Sequence, residues 1–205
     1  MGRDERIPRS GVFPGRKAMF NFAVFRKFVT LNNGRRVLLR PLLEEDHKLL
    51  FDLFHEASED DTRFLKDEVK EPIVVERWIA NLNYDRVMPL VAFCDGRIVG
   101  DCAVYLGTKS ARHVGEIRIF LAQDFRGVGL GSKMILEMCD VCKKRGLWFL
   151  KAEVILEHAK VVKAFRRLGF DLRCTLDDYF MRRDGVTHDI ALMIKRLKKP
   201  EEYTF

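Results

Sequence analysis

An α/β domain, a central sheet flanked by helices, is the fold class predicted by three observations in this sequence. First, apolar spacing switches repeatedly between the two-residue period of strands and the 3.6-residue period of helices. Second, the turn pairs Asn33-Gly34, Asp95-Gly96 and Asp184-Gly185 each separate strand-like runs, which predicts hairpins and hence antiparallel pairs. Third, the run Glu116–Leu121 leads through Ala122–Arg126 into glycines at 127, 129 and 131, directly ahead of the helical pattern Met134, Ile135, Met138, Cys142. At 205 residues and 47% hydrophobic, the chain is in the range of one domain with a sizeable core.

In chain order, residues 1–24 are read as a basic flexible tail, 25–199 as the single domain and 200–205 as a short C-terminal tail. Phe25 to Leu31 and Arg36 to Pro41 suit two strands around the Asn32-Asn33-Gly34 turn. Leu49, Leu50, Leu53 and Phe54 recur at helical spacing, and a second helix is expected over Val74–Leu82. Between them, Ser58 to Lys70 is charged and reads as a loop. Leu90–Cys94, Ile98–Leu106 and Gly115–Leu121 make three strands. The helix after the glycines ends in Lys143-Lys144-Arg145-Gly146, cations in the last turn and a glycine cap. Leu147–Leu156 reads as a buried strand, His158–Leu168 as a helix, and 170–181 with 188–194 as a closing hairpin.

Several function classes are disfavoured by composition. No apolar run approaches the roughly 20 residues of a membrane helix, so a membrane-spanning role is not expected. The net charge of +7 is concentrated at the start: residues 1–40 hold ten Lys and Arg against Asp4 and Glu5, which leaves the remainder near neutrality. A basic lead on a neutral body is not the extended basic face of a nucleic-acid-binding protein. Five scattered cysteines, with Cys139-Asp-Val-Cys142 inside a helical pattern, read as buried free thiols and a cytoplasmic setting. The five histidines have no ligand spacing, and no metal site is expected.

The glycine loop carries the chemistry. Glycines let a ligand approach the backbone closely, and a helix N-terminus adds unpaired N–H groups and the positive end of its dipole, so an anion such as phosphate is the expected guest. The spacing does not fit a dinucleotide fingerprint, because Ser132 stands where the third glycine belongs. Nor does it fit a P-loop, since the order is Gly131-Ser132-Lys133. What remains is Arg126-x-x-Gly129-x-Gly131. This resembles the pyrophosphate loop of the GCN5-related N-acetyltransferases, whose pattern is Gln/Arg-x-x-Gly-x-Gly/Ala after a strand and before a helix. The predicted order of elements over residues 35–196 is similar to that family as well. The resemblance implies a mixed, mostly antiparallel sheet and an acetyl-CoA-dependent enzyme.

It also implies site residues. Arg126, Gly127, Val128, Gly129, Leu130, Gly131 and Ser132 would hold the pyrophosphate of acetyl-CoA, and the main chain of Ile119, Phe120 and Leu121 would hold its pantetheine arm. The opening Leu-Asn-Asn-Gly-Arg-Arg-Val-Leu-Leu-Arg-Pro and the Gly-Glu-Ile-Arg-Ile pattern are nearest to the bacterial and archaeal protein-lysine acetyltransferases. In that branch a strand glutamate ten residues before the loop is the general base, a role that falls on Glu116. Its structural alternative is a strand carboxylate paired with Arg118 or Arg112. A second family signature, Asn-x-x-Ala-x-x-Leu-Tyr-x-x-x-Gly-Phe, reads here from His158 through Val161 and Phe165 to Gly169-Phe170. His158 could contact the cofactor arm, and Phe165 takes the place of the tyrosine that protonates the leaving thiolate. The general acid is thus unassigned among Tyr105, Tyr179, Cys174 and water. Acceptors are a protein lysine, slightly favoured, or a small amine. A non-catalytic acyl-CoA sensor is the alternative, and oligomerisation is left open.

Overall fold

The computed structural model describes residues 20–198, so the expected tail up to residue 19 and the segment 200–205 lie outside the described residues. Eight strands form one sheet in the order β1-β2-β3-β4-β5-β6-β8-β7. They are β1 (Lys27–Thr30), β2 (Arg36–Pro41), β3 (Val87–Cys94), β4 (Arg97–Leu106), β5 (Val114–Leu121), β6 (Phe149–Ile155), β7 (Asp171–Met181) and β8 (Thr187–Arg196). All neighbours are antiparallel except β5 and β6, which run parallel. The helices are α1 (His47–His55), α2 (Glu59–Thr62), α3 (Pro72–Ala80), α4 (Leu130–Arg145) and α5 (Ala159–Arg167).

The turns follow their sequences. Asp95 and Gly96 both take positive φ, +50° and +81°, the pair a two-residue hairpin needs to match strand twist. Pro72 opens α3, where its missing N–H costs nothing, and Gly146 at φ +100° ends α4. Expected and observed elements differ at two places. The Ser58–Lys70 loop contains the one-turn helix α2, because the Ser58 hydroxyl accepts the Asp61 N–H and three acidic residues fill the first turn. The packed chain also begins before residue 25: Phe22 is buried against Tyr84, ring centroids 5.3 Å apart. It lies in the apolar run Met19–Phe25, too short to show a strand or helix period of its own.

Two apolar layers sandwich the sheet. On one face α4 buries Leu130, Met134, Ile135, Met138, Cys139, Val141 and Cys142 against β2–β6, and Phe165 of α5 joins them. Each fully buried Leu, Met or Phe there contributes about 1.5–3 kcal/mol relative to exposure. On the other face α1 and α3 cover Val91, Ile98 and Phe120, with Phe54 5.1 Å from the Phe120 ring. The Cys139-x-x-Cys142 pair is part of the first layer, and burial pushes the Cys139 thiol up to about 11. Of the five free cysteines four are buried; Cys174 is exposed on β7, contrary to the expectation of uniformly buried thiols, because that edge strand is largely uncovered.

Asp101 of β4 is an exception to the satisfied interior. Its Oδ1 is buried without a hydrogen-bond partner, and burial pushes the carboxyl up to about 7 from an ordinary 3.8. A carboxyl raised on folding binds its proton more tightly in the folded state, so it contributes stability at low pH that is lost as pH rises through about 7. We expect Asp101→Asn to remove this loss: urea unfolding should find the variant more stable than the parent at pH 8 and level with it by about pH 4. Parallel pH profiles for the two proteins would contradict it.

Candidate active site

The site lies where β5 and β6 part. Their pairing covers only Val114↔Phe149, Gly115↔Leu150 and Glu116↔Lys151. Beyond it β5 stays paired to β4 and β6 to β8, so residues 117–121 and 152–155 form the two walls of a notch in the sheet. Ala122 donates to Val99 O and Val114 accepts from Gly107 N–H, which turns the even-numbered main-chain groups of β5 toward β4. The odd-numbered groups, including those of Ile119 and Leu121, therefore face the notch. Side chains alternate too: Ile119 and Leu121 pack toward α4 beneath Gly131, whereas Phe120 points to the α1 face.

At the end of the notch the loop turns through Gly127 at φ +74° and Gly129 at φ +89° into α4. The first bond of that helix runs from Lys133 N–H to Gly129 O, so the amides ahead of it have no helical partner. Leu130 is fully buried and Val128 half-buried, which leaves their main chains as the available groups, while Ser132 is exposed in the first turn. Arg126 braces the loop. Its Nε and Nη2 donate to Leu121 O at 3.1 and 3.0 Å, and its Nη1 meets Asp61 Oδ1 of α2 at 2.6 Å. A further brace is invisible in the sequence pattern: Asn32 N–H donates to Val128 O, and a Cβ on Gly129 would come within 3.1 Å of the Asn32 side chain. Gly129→Ala should thus cost about 1–3 kcal/mol in stability through its left-handed backbone. It should also weaken coenzyme A binding, read by titration calorimetry; unchanged affinity would show that the loop is not the anchor.

Glu116 sits at the closed end of the notch, in a ring of alternating charge. Its carboxylate accepts from Lys66 Nζ, Arg118 Nε and Lys151 Nζ, each at 2.9 Å. Lys66 and Lys151 both bond Glu153 of β6 as well, each at 2.7 Å. Burial pushes the Glu116 carboxyl up, but the hydrogen bonds from Lys151, Lys66 and Arg118 outweigh it and hold it at about 2. The same contest leaves Glu153 below the usual carboxylate range. The expected structural alternative for Glu116 is present in the Arg118 contact; Arg112 instead bonds Lys109 O. Tyr105 lies directly across from Glu116 in the β4–β5 register and stacks on the Arg118 guanidinium at 4.1 Å. Burial, only partly offset by Arg118, raises its hydroxyl, which therefore stays protonated.

The remaining expected residues make other contacts. His158 is exposed at the start of α5, edge-on to Phe64 at 4.8 Å; Phe64 also meets His188 at 4.9 Å and bridges from the α2–α3 segment to the β7–β8 hairpin. Phe165 is buried, 4% exposed, with its ring against Phe170 at 5.0 Å, so it belongs to the core and not to the notch surface. Tyr179 is exposed and lines a groove of about 660 Å³ between the α2–α3 segment and the hairpin, a groove that reaches Lys66 and Glu153. Among the described residues no group of three His, Cys, Asp or Glu side chains is arranged to hold a metal, and no helix is long and apolar enough to cross a membrane.

Residues 49–170 match the model of the acetyltransferase (GNAT) family. The chain belongs to that family. An uncharacterized N-acetyltransferase of Methanocaldococcus jannaschii is 26% identical over 138 residues, which is 65% of this chain and 60% of that one, so the chain matches less than two thirds of that relative's length. An acetyltransferase of Pseudomonas aeruginosa is 26% identical over 173 residues, covering 80% and 88%. In structure, the chain resembles yncA of Salmonella typhimurium, solved with its cofactor acetyl-CoA, with a TM-score of 0.68 at 16% identity over 82% of this chain and 96% of that one. The GNAT fold expected from the sequence is thereby met.

Proposed function

We propose that the protein transfers the acetyl group of acetyl-CoA to a primary amine by direct attack, with Glu116 as the general base. The observation that carries this reading is the coincidence, at one notch, of open main-chain groups on β5, a loop of unpartnered amides beyond them and a carboxylate at its closed end. These groups fit acetyl-CoA. The amides of 127–132 and Arg126 suit its pyrophosphate, and the outward main chain of Ile119 and the N–H of Leu121 suit the amide-bearing pantetheine arm. When bound, acetyl-CoA supplies an acyl group activated as a thioester. The protein's own part is to bind it in extended form, exclude water from the notch and take a proton from the attacking ammonium. Tyr105, protonated and facing Glu116, is the candidate that best suits protonation of the leaving thiolate.

The acceptor side favours a cation. Glu116 and Glu153 are satisfied in the free protein by lysine ammonium groups, so a lysine-like acceptor matches the contacts already made there. This supports a protein lysine over a neutral amine, and the groove beside Lys66 gives a peptide a route in. The four buried free thiols favour a reducing, cytoplasmic compartment. The test is thiol release from acetyl-CoA with a panel of lysine peptides, polyamines and small amines. Turnover on at least one cationic amine is expected; absence of turnover by folded protein that binds acetyl-CoA would turn the reading toward a sensor. Because Glu116 is held at about 2, it is ionised throughout the working range. The acid limb of kcat/KM should therefore follow the acceptor amine, moving when an amine of different pKa is supplied, and a limb fixed near pH 5–7 for every amine would contradict this.

A further inference from the structure

We propose that the protein acetylates its own Lys66, and that this modification opens the acceptor site. The inference rests on the proposed acetyl transfer at the notch. A general base acts on an amine within hydrogen-bond reach of it, and the Lys66 ammonium is within that reach of Glu116, at 2.9 Å, with Glu153 at 2.7 Å on its other side. Lys66 thus occupies the position an incoming acceptor amine would take. It comes from the segment between α2 and α3, outside the sheet, and lines the groove through which we route the acceptor. Lys151 bonds the same two carboxylates but is fixed in β6, with its main chain in register between Glu116 and Ile194. Of the two lysines, Lys66 alone enters from the acceptor side.

The step balances without any further reactant. The ammonium gives one proton through Glu116 to solvent, the Nζ lone pair forms a C–N bond to the thioester carbonyl carbon, and the C–S bond breaks. The departing thiolate takes the second nitrogen proton, leaving coenzyme A thiol and N-acetyl-lysine. Acetyl-Lys66 is neutral, so Glu116 and Glu153 lose one of their shared cations while keeping Lys151. Both carboxylates then face an unfilled cation position, which an external ammonium can enter, and Glu116 becomes a stronger base as an opposing charge is withdrawn.

The experiment incubates the full chain with acetyl-CoA and follows intact mass and peptide maps over time, alongside thiol release with an external amine. Lys66 is expected to gain one acetyl group, well ahead of the exposed Lys48, at a rate per chain that does not change on dilution. Glu116→Gln is expected to slow that rate by about 10²-fold or more. External turnover should show a lag that matches Lys66 acetylation, and Lys66→Gln, which resembles the acetylated side chain, should start without one. Acetylation of Lys66 no faster than Lys48, a rate that falls on dilution, or modification of Lys151 in its place would overturn the proposal. Turnover on external amines with Lys66 unmodified would defeat this inference alone, whereas absence of both acetyl-CoA binding and transfer would defeat the proposed function and this inference with it.

Discussion

Glu116→Gln is expected to keep acetyl-CoA affinity and to lose about 10²- to 10⁴-fold in kcat, the range a positioned general base supplies. The substitution is nearly isosteric, and Lys66 and Lys151 retain Glu153 as a partner, so the notch should stay folded. Affinity should survive because the proposed anchors, the loop amides and the β5 main chain, are untouched. One change in stability is expected alongside. A carboxyl depressed from 4.5 to about 2 contributes stability that is present above pH 4.5 and lost as pH falls toward 2. Acid unfolding of the variant should therefore be less steep over that interval. Steady-state kinetics, calorimetry and acid titration of the two proteins check the three parts; an undiminished kcat in a folded variant would remove Glu116 from the chemistry.

Asp46→Ala should destabilise the protein by about 3–5 kcal/mol, the cost of leaving a buried charge without its partner. Asp46 is 1% exposed and Arg40 9%. The guanidinium of Arg40 bonds both carboxylate oxygens, at 2.5 and 2.7 Å, and Asp46 Oδ2 also accepts the Leu43 N–H at 2.9 Å. This pair fixes the joint between β2 and α1, the helix that covers Ile98 of β4 and Phe120 on its side of the sheet. Against a typical domain stability of about 5–15 kcal/mol the loss is large. Replacing both partners together with apolar residues should recover much of it, because no unpaired charge is then left inside. Urea unfolding of the single and double variants reads this directly, and a loss below about 1 kcal/mol for Asp46→Ala would mean that water reaches Arg40.

The parts of the site that were legible in the sequence are those set by local backbone chemistry. Gly127 and Gly129 announce positive φ, Asp95-Gly96 announces a hairpin, and Glu116 lies a fixed strand length ahead of the loop. What was not legible depends on contacts between distant segments. Lys66 reaches Glu116 across 50 positions and Glu153 across 87, and no spacing rule connects them. The Lys151-x-Glu153 alternation did place two charges on one face of a strand, the single signal that could have suggested the ring. Asn32 read only as a turn residue, yet it also supports the glycine loop. Phe165 was aligned with a functional tyrosine, and its buried contact with Phe170 accounts for a phenyl ring there in packing terms. The notch itself could not be read at all, because a parallel pair that stops after three residues leaves no trace in hydrophobic period.

The proposed binding mode places acetyl-CoA in the β5–β6 notch with its pyrophosphate on the glycine loop. Hydrogen–deuterium exchange with and without coenzyme A tests it on the backbone groups concerned. Protection is predicted at the amides of Ile119 and Leu121 and across residues 127–132. Saturable binding that leaves both segments exchanging as before would contradict the account.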